Sequence, residues 1–116
     1  NRTVNYVRIM HVDVFITTRN AKEARKIGSI LLHERLAACI NIIPEIESMY
    51  WWNNRVEQHG ESLLVAKTKK ELVKKIIKAV KENSSYSMPC VNALQIIKGD
   101  PDYLKWIDKE TRQNKK

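Results

Sequence analysis

The chain has 116 residues and a net charge of +8, with 43% hydrophobic and 29% charged residues. This length fits one domain with its own hydrophobic core, and the composition excludes a disordered chain. No apolar run approaches the roughly 18 residues that a membrane span needs. We therefore expect no membrane partner. Two cysteines are too few for a disulfide framework, so we expect reduced thiols and a cytoplasmic location.

The first predicted elements are a strand and a helix. β-branched and polar residues alternate over residues 11–18, which predicts a strand. Asn20 and Glu23 have the spacing of a capping box, and apolar residues then recur at helical spacing until about Leu36. Gly28 lies inside this helix, where glycine is unfavourable. We therefore expect another backbone to approach the helix closely at this point.

The longest predicted element is a β-hairpin with arms over residues 39–52 and 56–67, joined by a turn at residues 53–55. Fourteen extended residues reach roughly 46 Å, whereas a compact domain of this length has a radius of gyration of about 13 Å. One domain cannot cover such a hairpin, and bare strand edges with aromatic residues promote aggregation. We expect another copy of the chain to cover it.

Two residues predict irregularities in this hairpin. Pro44 cannot donate a hydrogen bond to the ladder, so we expect a bulge or break there. Gly60, on the second arm, is the expected partner irregularity.

A second helix, a strand and a last helix complete the chain. Thr68 and Glu71 predict a second capping box, followed by a helix with one apolar stripe and many lysines. After a polar loop, residues 91–97 predict the fourth strand. Asp100 as N-cap and Pro101 at the first helical position predict the last helix.

This order of elements predicts an α+β, ferredoxin-like fold, which is a split βαβ sandwich with a long β-hairpin. Two helices cover one face of the sheet, and one short helix is too small to cover the other. We expect the sheets of neighbouring subunits to meet there.

The chain shows no signature of catalysis. It contains no nucleophile elbow, no glycine-rich phosphate loop and no HExxH motif, so we do not expect an enzyme. His11, His33 and His59 lack the spacing of metal ligands, and we expect none of them to be one.

The positive charge raises the alternative of a nucleic-acid-binding module. RRM domains share this strand order, but they carry aromatic residues on the third strand. The matching segment here, residues 62–67, has none. We expect the lysine-rich helix to be a solvated face that offers only nonspecific phosphate contacts.

Three sulfur-containing residues are candidate metal ligands: Cys39, Met88 and Cys90. Soft thiolate and thioether ligands select Cu(I). The alternative is that they pack in the core as small hydrophobic groups.

Three further residues are candidates for a ligand-binding cleft. Lys67 ends a central strand and could hold an anion or carboxylate, or it could form an ion pair with Glu61 or another acidic residue. Tyr86 could form a cleft wall, or its ring could be docked with a satisfied hydroxyl. Trp52, with Trp51, lies at the hairpin tip, where we expect large rings to anchor the hairpin on a neighbouring subunit.

Several of these residues belong to a recognisable pattern. In order, the pattern comprises Leu36-Ala37-Ala38-Cys39-Ile40-Asn41-Ile42-Ile43-Pro44, Ser48, Tyr50-Trp51-Trp52, Glu61, Lys67-Thr68, Tyr86, Pro89 and Tyr103-Leu104-Lys105-Trp106. Over about residues 11–110 it resembles the CutA divalent-ion tolerance family. The resemblance implies a ferredoxin-like homotrimer, similar in architecture to PII signalling proteins, whose hairpins extend into neighbouring subunits.

The resemblance also implies a function. It indicates tolerance of, or response to, copper or another divalent metal ion. The expected activity is the binding of a metal ion or small ligand in the cleft between subunits. The resemblance implies no established enzymatic reaction. The alternative is a PII-like signalling or scaffolding trimer without metal binding. We expect a CutA-like domain over residues 10–112, a flexible arm over residues 1–9 and a tail over residues 113–116.

The chain departs from the family pattern at three positions. Ser84 replaces a histidine, Cys90 replaces a glutamate, and Asn54 replaces a glycine after the tryptophans. Asn tolerates a left-handed turn. The other two changes remove polar groups from the cleft that the resemblance implies.

Overall fold

The computed structural model describes residues 10–113. Its helices and strands, in chain order, are β1 (His11–Thr18), α1 (Ala21–His33), β2 (Cys39–Trp52), β3 (Arg55–Lys69), α2 (Val73–Asn83), β4 (Val91–Gln95) and α3 (Pro101–Glu110). The strands form one antiparallel sheet in the order β2-β3-β1-β4. The predicted α+β, ferredoxin-like class is therefore confirmed. The predicted arm and the end of the tail, residues 1–9 and 114–116, lie outside the described residues.

The two faces of the sheet differ in how they are covered. Alternate residues of a strand point to opposite faces, and Val12, Val14 and Ile16 of β1 are buried with α1 and α2 in the hydrophobic core. The opposite face, termed the open face, carries residues that alternate with these. Of the described helices only α3 packs on it, at one end, where His11 Nε2 donates a hydrogen bond to Asp108 Oδ1 (2.8 Å). No helix among residues 10–113 is long and apolar enough to cross a bilayer.

The hairpin of β2 and β3 runs far beyond the rest of the sheet. Its strands have 14 and 15 residues, whereas β1 has 8 and β4 has 5. A two-residue turn joins them at Asn53 and Asn54, whose φ angles of 51° and 63° fit the left-handed conformation of a tight hairpin. The radius of gyration is 16.1 Å, compared with about 13 Å for a compact domain of this size.

The predicted bulge at Pro44 is confirmed, and the predicted irregularity at Gly60 is wrong. The ladder shifts register between Ile43 and Ile46, so β2 has one extra residue in this region. Ser62 stabilises the bulge by donating its hydroxyl to the Pro44 carbonyl (2.6 Å). Gly60 pairs in regular register with a residue of β2.

The N-terminus of α1 is capped as predicted, but the capping box is only half formed. The Asn20 side chain accepts the backbone N–H of Glu23 (2.9 Å). The Glu23 carboxylate accepts the backbone N–H of Arg19 (3.2 Å) and that of Ser85 (2.9 Å), and not that of Asn20. Glu23 therefore ties the loop after α2 to the start of α1.

The end of α1 and the start of α2 differ from the predictions for local reasons. α1 ends at His33 and not near Leu36, because Arg35 adopts a left-handed φ of 59°. Thr68 lies in β3 and donates its hydroxyl to the Leu36 carbonyl (2.6 Å), so the predicted capping box with Glu71 is wrong. A short 3₁₀ turn leads into α2, which has no side-chain cap.

The C-terminal elements are close to their predictions. β4 ends at Gln95 and not at Ile97, which is exposed. Asp100 caps α3 by accepting the backbone N–H of Tyr103 (3.0 Å), and Pro101 occupies the first helical position. Gln113, at the end of the described chain, donates its side-chain amide to the Arg35 carbonyl (2.8 Å).

Gly28 marks a close contact between α1 and the sheet. A Cβ atom at this position would lie 2.9 Å from Ile40 Cγ2 and 3.3 Å from Leu64 Cδ1. The predicted approach of another backbone is therefore wrong, because side chains of β2 and β3 fill the space.

We expect Gly28→Ala to destabilise the protein although alanine favours helices. Overpacking against the rigid, β-branched Ile40 costs about 1–3 kcal/mol, which exceeds the helix-propensity gain of about 1 kcal/mol. Urea unfolding at a fixed protomer concentration measures the difference. Lys26→Ala, on the exposed side of the same helix, is the control and should change stability by less than about 0.5 kcal/mol. A Gly28→Ala protein more stable than the parent would contradict this packing.

Candidate functional site

Charged and polar side chains gather on the open face beneath α3. Strand register aligns Cys39, Lys67 and Asp13 in one row across β2, β3 and β1. Tyr103 of α3 lies beside this row, with its ring centroid 6.0 Å from Lys67 Nζ, which is within cation–π range. These four residues are termed the Lys67 cluster.

The Lys67 cluster has an unusual electrostatic balance. Burial raises the pKa of the Tyr103 hydroxyl, and the adjacent Cys39 thiol and Asp13 carboxylate raise it further. Asp13 Oδ1 is buried and has no hydrogen-bond partner among the described residues. A buried carboxylate oxygen without a donor is costly. The cluster can therefore accept a cation or a hydrogen-bond donor at Asp13.

Tyr86 belongs to a second group, beside the middle of β3. Its hydroxyl donates to Glu61 Oε2 (2.7 Å), and its backbone N–H is accepted by Ser84 Oγ (3.0 Å). Burial raises the pKa of the Tyr86 phenol, and the hydrogen bond to Glu61 raises it further. The ring is thus docked with its hydroxyl satisfied, and Ser84 shapes the loop that carries it.

Lys67 forms no ion pair with Glu61 or with another acidic residue among residues 10–113. Lys67 and Glu61 are six positions apart on the same strand, which separates their Cα atoms by roughly 20 Å. Glu61 is engaged by the Tyr86 hydroxyl.

Trp52 lies at a third place, the tip of the hairpin. It is 48% exposed, and its neighbour Trp51 is 74% exposed. Trp52 pairs with Arg55, which lies twelve positions before Lys67 on β3, a distance of roughly 40 Å along an extended strand. The candidates Lys67, Tyr86 and Trp52 therefore do not meet within one chain.

The sulfur-containing candidates are also separated. Cys39 is half-buried in the Lys67 cluster, whereas Cys90 and Met88 are exposed, so packing in the core of this chain does not account for those two. Cys90 lies beside Thr17 at the far end of β1 (N···O 3.3 Å). Strand rise and strand spacing place Cys39 and Cys90 roughly 20 Å apart. Within residues 10–113, no group of three or more His, Cys, Asp or Glu side chains could hold a metal ion.

Sequence reasoning missed Asp13 and His11. A charged residue in the middle of a strand indicates a face that the core does not fill, but its neighbours depend on strand register. His11, expected not to be a ligand, forms a hydrogen bond with Asp108 that holds α3 against the sheet. The two residues are 97 positions apart, so no local pattern reveals the pair.

The match to known proteins covers nearly all the described residues. Residues 12–110 fit the family model described as CutA1 divalent ion tolerance protein. The chain belongs to this family. A divalent-cation tolerance protein CutA from Archaeoglobus fulgidus is 38% identical over 99 residues, which cover 85% of this chain and 96% of that protein. The rice protein CutA 1, named as chloroplastic, is 39% identical over 101 residues, which cover 87% of this chain.

Solved structures of CutA proteins share the fold. The A. fulgidus protein, described as a periplasmic divalent cation tolerance protein, superposes with a TM-score of 0.87 at 36% identity, over 89% of this chain and 100% of that chain. The divalent cation tolerance protein from Thermus thermophilus gives 0.87 at 38% identity, with the same coverage of both chains. The chain spans only 57% and 54% of the rice and Arabidopsis thaliana relatives.

We expect Tyr86→Phe to weaken the response of stability to alkaline pH. Burial and the Glu61 hydrogen bond favour the neutral phenol in the folded state, so this contribution is fully present below about pH 10, the pKa of a free tyrosine. It is lost as the pH rises above that value. Phenylalanine cannot ionise, so the unfolding free energy of the variant should fall less steeply above about pH 10. At pH 7 we expect a loss of about 1 kcal/mol.

Urea unfolding across the alkaline range measures this response. Glu61→Gln is the matched control: it removes the carboxylate charge but keeps the burial, so the phenol pKa should stay above its ordinary value by a smaller margin. An alkaline slope that is identical in the parent and in Tyr86→Phe would contradict the assignment.

Proposed function

We propose that this chain forms a non-enzymatic homotrimer that contributes to divalent-ion tolerance by binding a metal ion or small ligand between its subunits. Family membership supports the tolerance role. Neither the family description nor the names of the relatives mention a reaction.

One observation carries the proposal: the candidate residues are spread over a hairpin and a sheet face that residues 10–113 leave largely uncovered. Lys67 lies near the C-terminal end of β3, and Trp52 lies at the tip of the hairpin. Tyr86, in the loop after α2, contacts the middle of β3 at Glu61. A neighbouring hairpin laid across the open face would cover exposed apolar side chains and bring residues of different chains together. Such a site is complete only in the assembly.

The Lys67 cluster is the best-supported location for this site. It offers a thiol at Cys39 and an unpartnered carboxylate oxygen at Asp13. Two donors from one chain do not fill the coordination sphere of a metal ion, so donors from other copies are required. Thiol sulfur favours Cu(I) over hard ions, and we propose copper as the first ion to test. Lys67 could instead hold the anionic part of a small ligand.

A second candidate function is PII-like signalling or scaffolding without metal binding. The absence of a three-ligand group among residues 10–113 favours it. The two functions differ in whether the assembly takes up a metal ion.

A reducing, cytoplasm-like compartment is part of the proposal, because Cys39 and Cys90 are both free thiols. The relatives differ in location, since the rice protein is named as chloroplastic and the A. fulgidus structure is described as periplasmic.

We expect Cu(I), added under reducing conditions, to bind in a Cys39-dependent manner. Native mass spectrometry measures the number of chains and of bound ions together. Cys39→Ser should abolish uptake, because serine is a poor ligand for a soft ion. Cys90→Ser is the comparison variant, and it should bind as the parent does if the further donors come from residues other than the Cys90 of a neighbouring copy.

Other outcomes assign the site differently. Loss of uptake only in Cys90→Ser would move the site to Cys90 and Met88. Unchanged uptake in both variants would contradict thiol ligation. No uptake by the parent would contradict the metal-binding proposal and favour scaffolding.

We expect Trp52→Ala to weaken the assembly. A half-exposed indole at the tip of an overlong hairpin is suited to packing on a neighbour, and truncation of a buried tryptophan costs about 3–5 kcal/mol. Light scattering over a dilution series should show dissociation at a higher concentration than for the parent. Trp52→Phe keeps a large ring and should dissociate closer to the parent. An unchanged dilution profile in Trp52→Ala would show that the tip does not anchor the interface.

A further inference from the structure

The outer surface of the two core-covering helices is strongly basic. α1 and α2 bury their apolar stripes against the sheet and turn their charged side chains outward. The exposed cations of this surface, termed the basic face, are Lys22, Arg25, Lys26, Lys74, Lys75, Lys78 and Lys81. Because the helices lie on the opposite side of the sheet from the open face, contacts made at the open face leave the basic face accessible.

The cations of the basic face form rows. Lys74, Lys78 and Lys81 are four and three positions apart, so they project from one side of α2 and rise by about 6 Å and 4.5 Å. Lys22 and Lys26 have the same four-residue spacing on α1. Packed helices lie about 8–10 Å apart, so two positive rows run along neighbouring helices.

No acidic side chain among the described residues forms an ion pair with a cation of the basic face. The contacts of this kind lie elsewhere: Arg35 pairs with Glu110, and His11 and His59 lie beside Asp108 and Glu57. Glu71 and Glu82 are exposed near the two ends of α2 and leave its centre positive. Lys74 and Lys78, like Lys22 and Lys26, are like charges at four-residue spacing, which weakens a helix slightly. A bound anion would relieve this repulsion.

We propose that the basic face binds the phosphate backbone of nucleic acid without sequence preference. Rows of lysines act as point charges toward phosphates. The sequences of α1 and α2 contain no Phe, Tyr or Trp that could stack on a base. Their one imidazole, His33 at the end of α1, is bound through Nδ1 to the Ser29 carbonyl (2.7 Å). The amide of Asn83, at the end of α2, donates to the Ala79 carbonyl (2.8 Å) and is not directed at a base edge.

A bilayer fits the basic face less well. Peripheral membrane helices insert a broad apolar face between lipid headgroups, whereas here the apolar stripes are used in the core. Leu32 is the only large apolar side chain of these two helices that is exposed. One such side chain gives little anchorage.

Fluorescence anisotropy with labelled DNA duplexes of two unrelated sequences tests the proposal on the full chain. From about 50 mM to 200 mM salt, the parent should bind both duplexes equally and lose affinity steeply. The triple variant Lys74→Gln, Lys78→Gln, Lys81→Gln should bind more weakly, and its slope of log affinity against log salt should be shallower by about 0.9 for each phosphate contact removed.

A second triple variant of equal net charge is the control. Lys98→Gln, Lys105→Gln and Lys109→Gln alter exposed lysines outside α1 and α2 and should keep the parent slope. Circular dichroism shows that each variant is folded, and Cu(I) uptake with native mass shows that the intersubunit site is intact. Failure of the copper experiment leaves this test unaffected.

Four results would overturn the proposal. They are no duplex binding by the parent at about 50 mM salt, equal slopes for the two triple variants, an affinity that depends on sequence, and tighter binding to phosphatidylserine vesicles than to duplex at equal phosphate concentration. The last result would assign the basic face to a membrane surface.

Discussion

A hairpin longer than the domain that carries it is the constraint on which the rest of this structure depends. β2 and β3 pair along nearly their whole length, but β1 pairs only with the C-terminal half of β3, as far as Ser62. Beyond that point no third strand and no helix among residues 10–113 supports the ladder. The outer part of the hairpin exposes Met49, Trp51, Trp52 and Val56. Surfaces of this kind are stable in water only when something covers them.

The same constraint separates the candidate functional residues. Because residues on one extended strand move apart by about 3.3 Å per position, the Lys67 cluster, Tyr86 and Trp52 occupy three distinct regions. A single chain therefore offers fragments of a site. Asp13 has a buried oxygen without a partner among the described residues, and Cys39 has a half-buried thiol. In the proposed assembly, a neighbouring chain would contribute further groups there. The proposed function therefore depends on the proposed assembly.

The two faces of the sheet differ in the side chains that they expose. The open face carries the polar and apolar groups that suit contact between copies and a shared ligand. The helical face carries lysines that form no ion pair with an acidic side chain among the described residues. This division follows from the split βαβ order, which places both crossover helices on one side of the sheet.

Local patterns predicted most of the fold, because alternation and capping residues are local signals. The strand His11–Thr18, the Asn20 and Asp100 caps and the bulge at Pro44 were all readable in this way. The end of α1 was not, because Arg35 is a non-glycine residue in a left-handed conformation. Thr68 has the spacing of a capping box with Glu71, but its hydroxyl donates a hydrogen bond to the carbonyl of Leu36, 32 positions away.

The candidate site was less predictable than the fold. The resemblance pointed to Lys67 and Tyr86, but their neighbours depend on register and on loop conformation. Asp13 meets Lys67 only because β1 pairs with β3 in one register, and Tyr86 reaches Glu61 only because of the loop after α2. Side-chain partners that are far apart in sequence leave no periodic signal.

The molar mass of the parent protein in solution tests the central claim most directly. Light scattering at micromolar protomer concentration should give three times the chain mass of 13.6 kDa, because covering the hairpin requires neighbouring copies. A monomer with the hairpin exposed, or a dimer, would contradict the account.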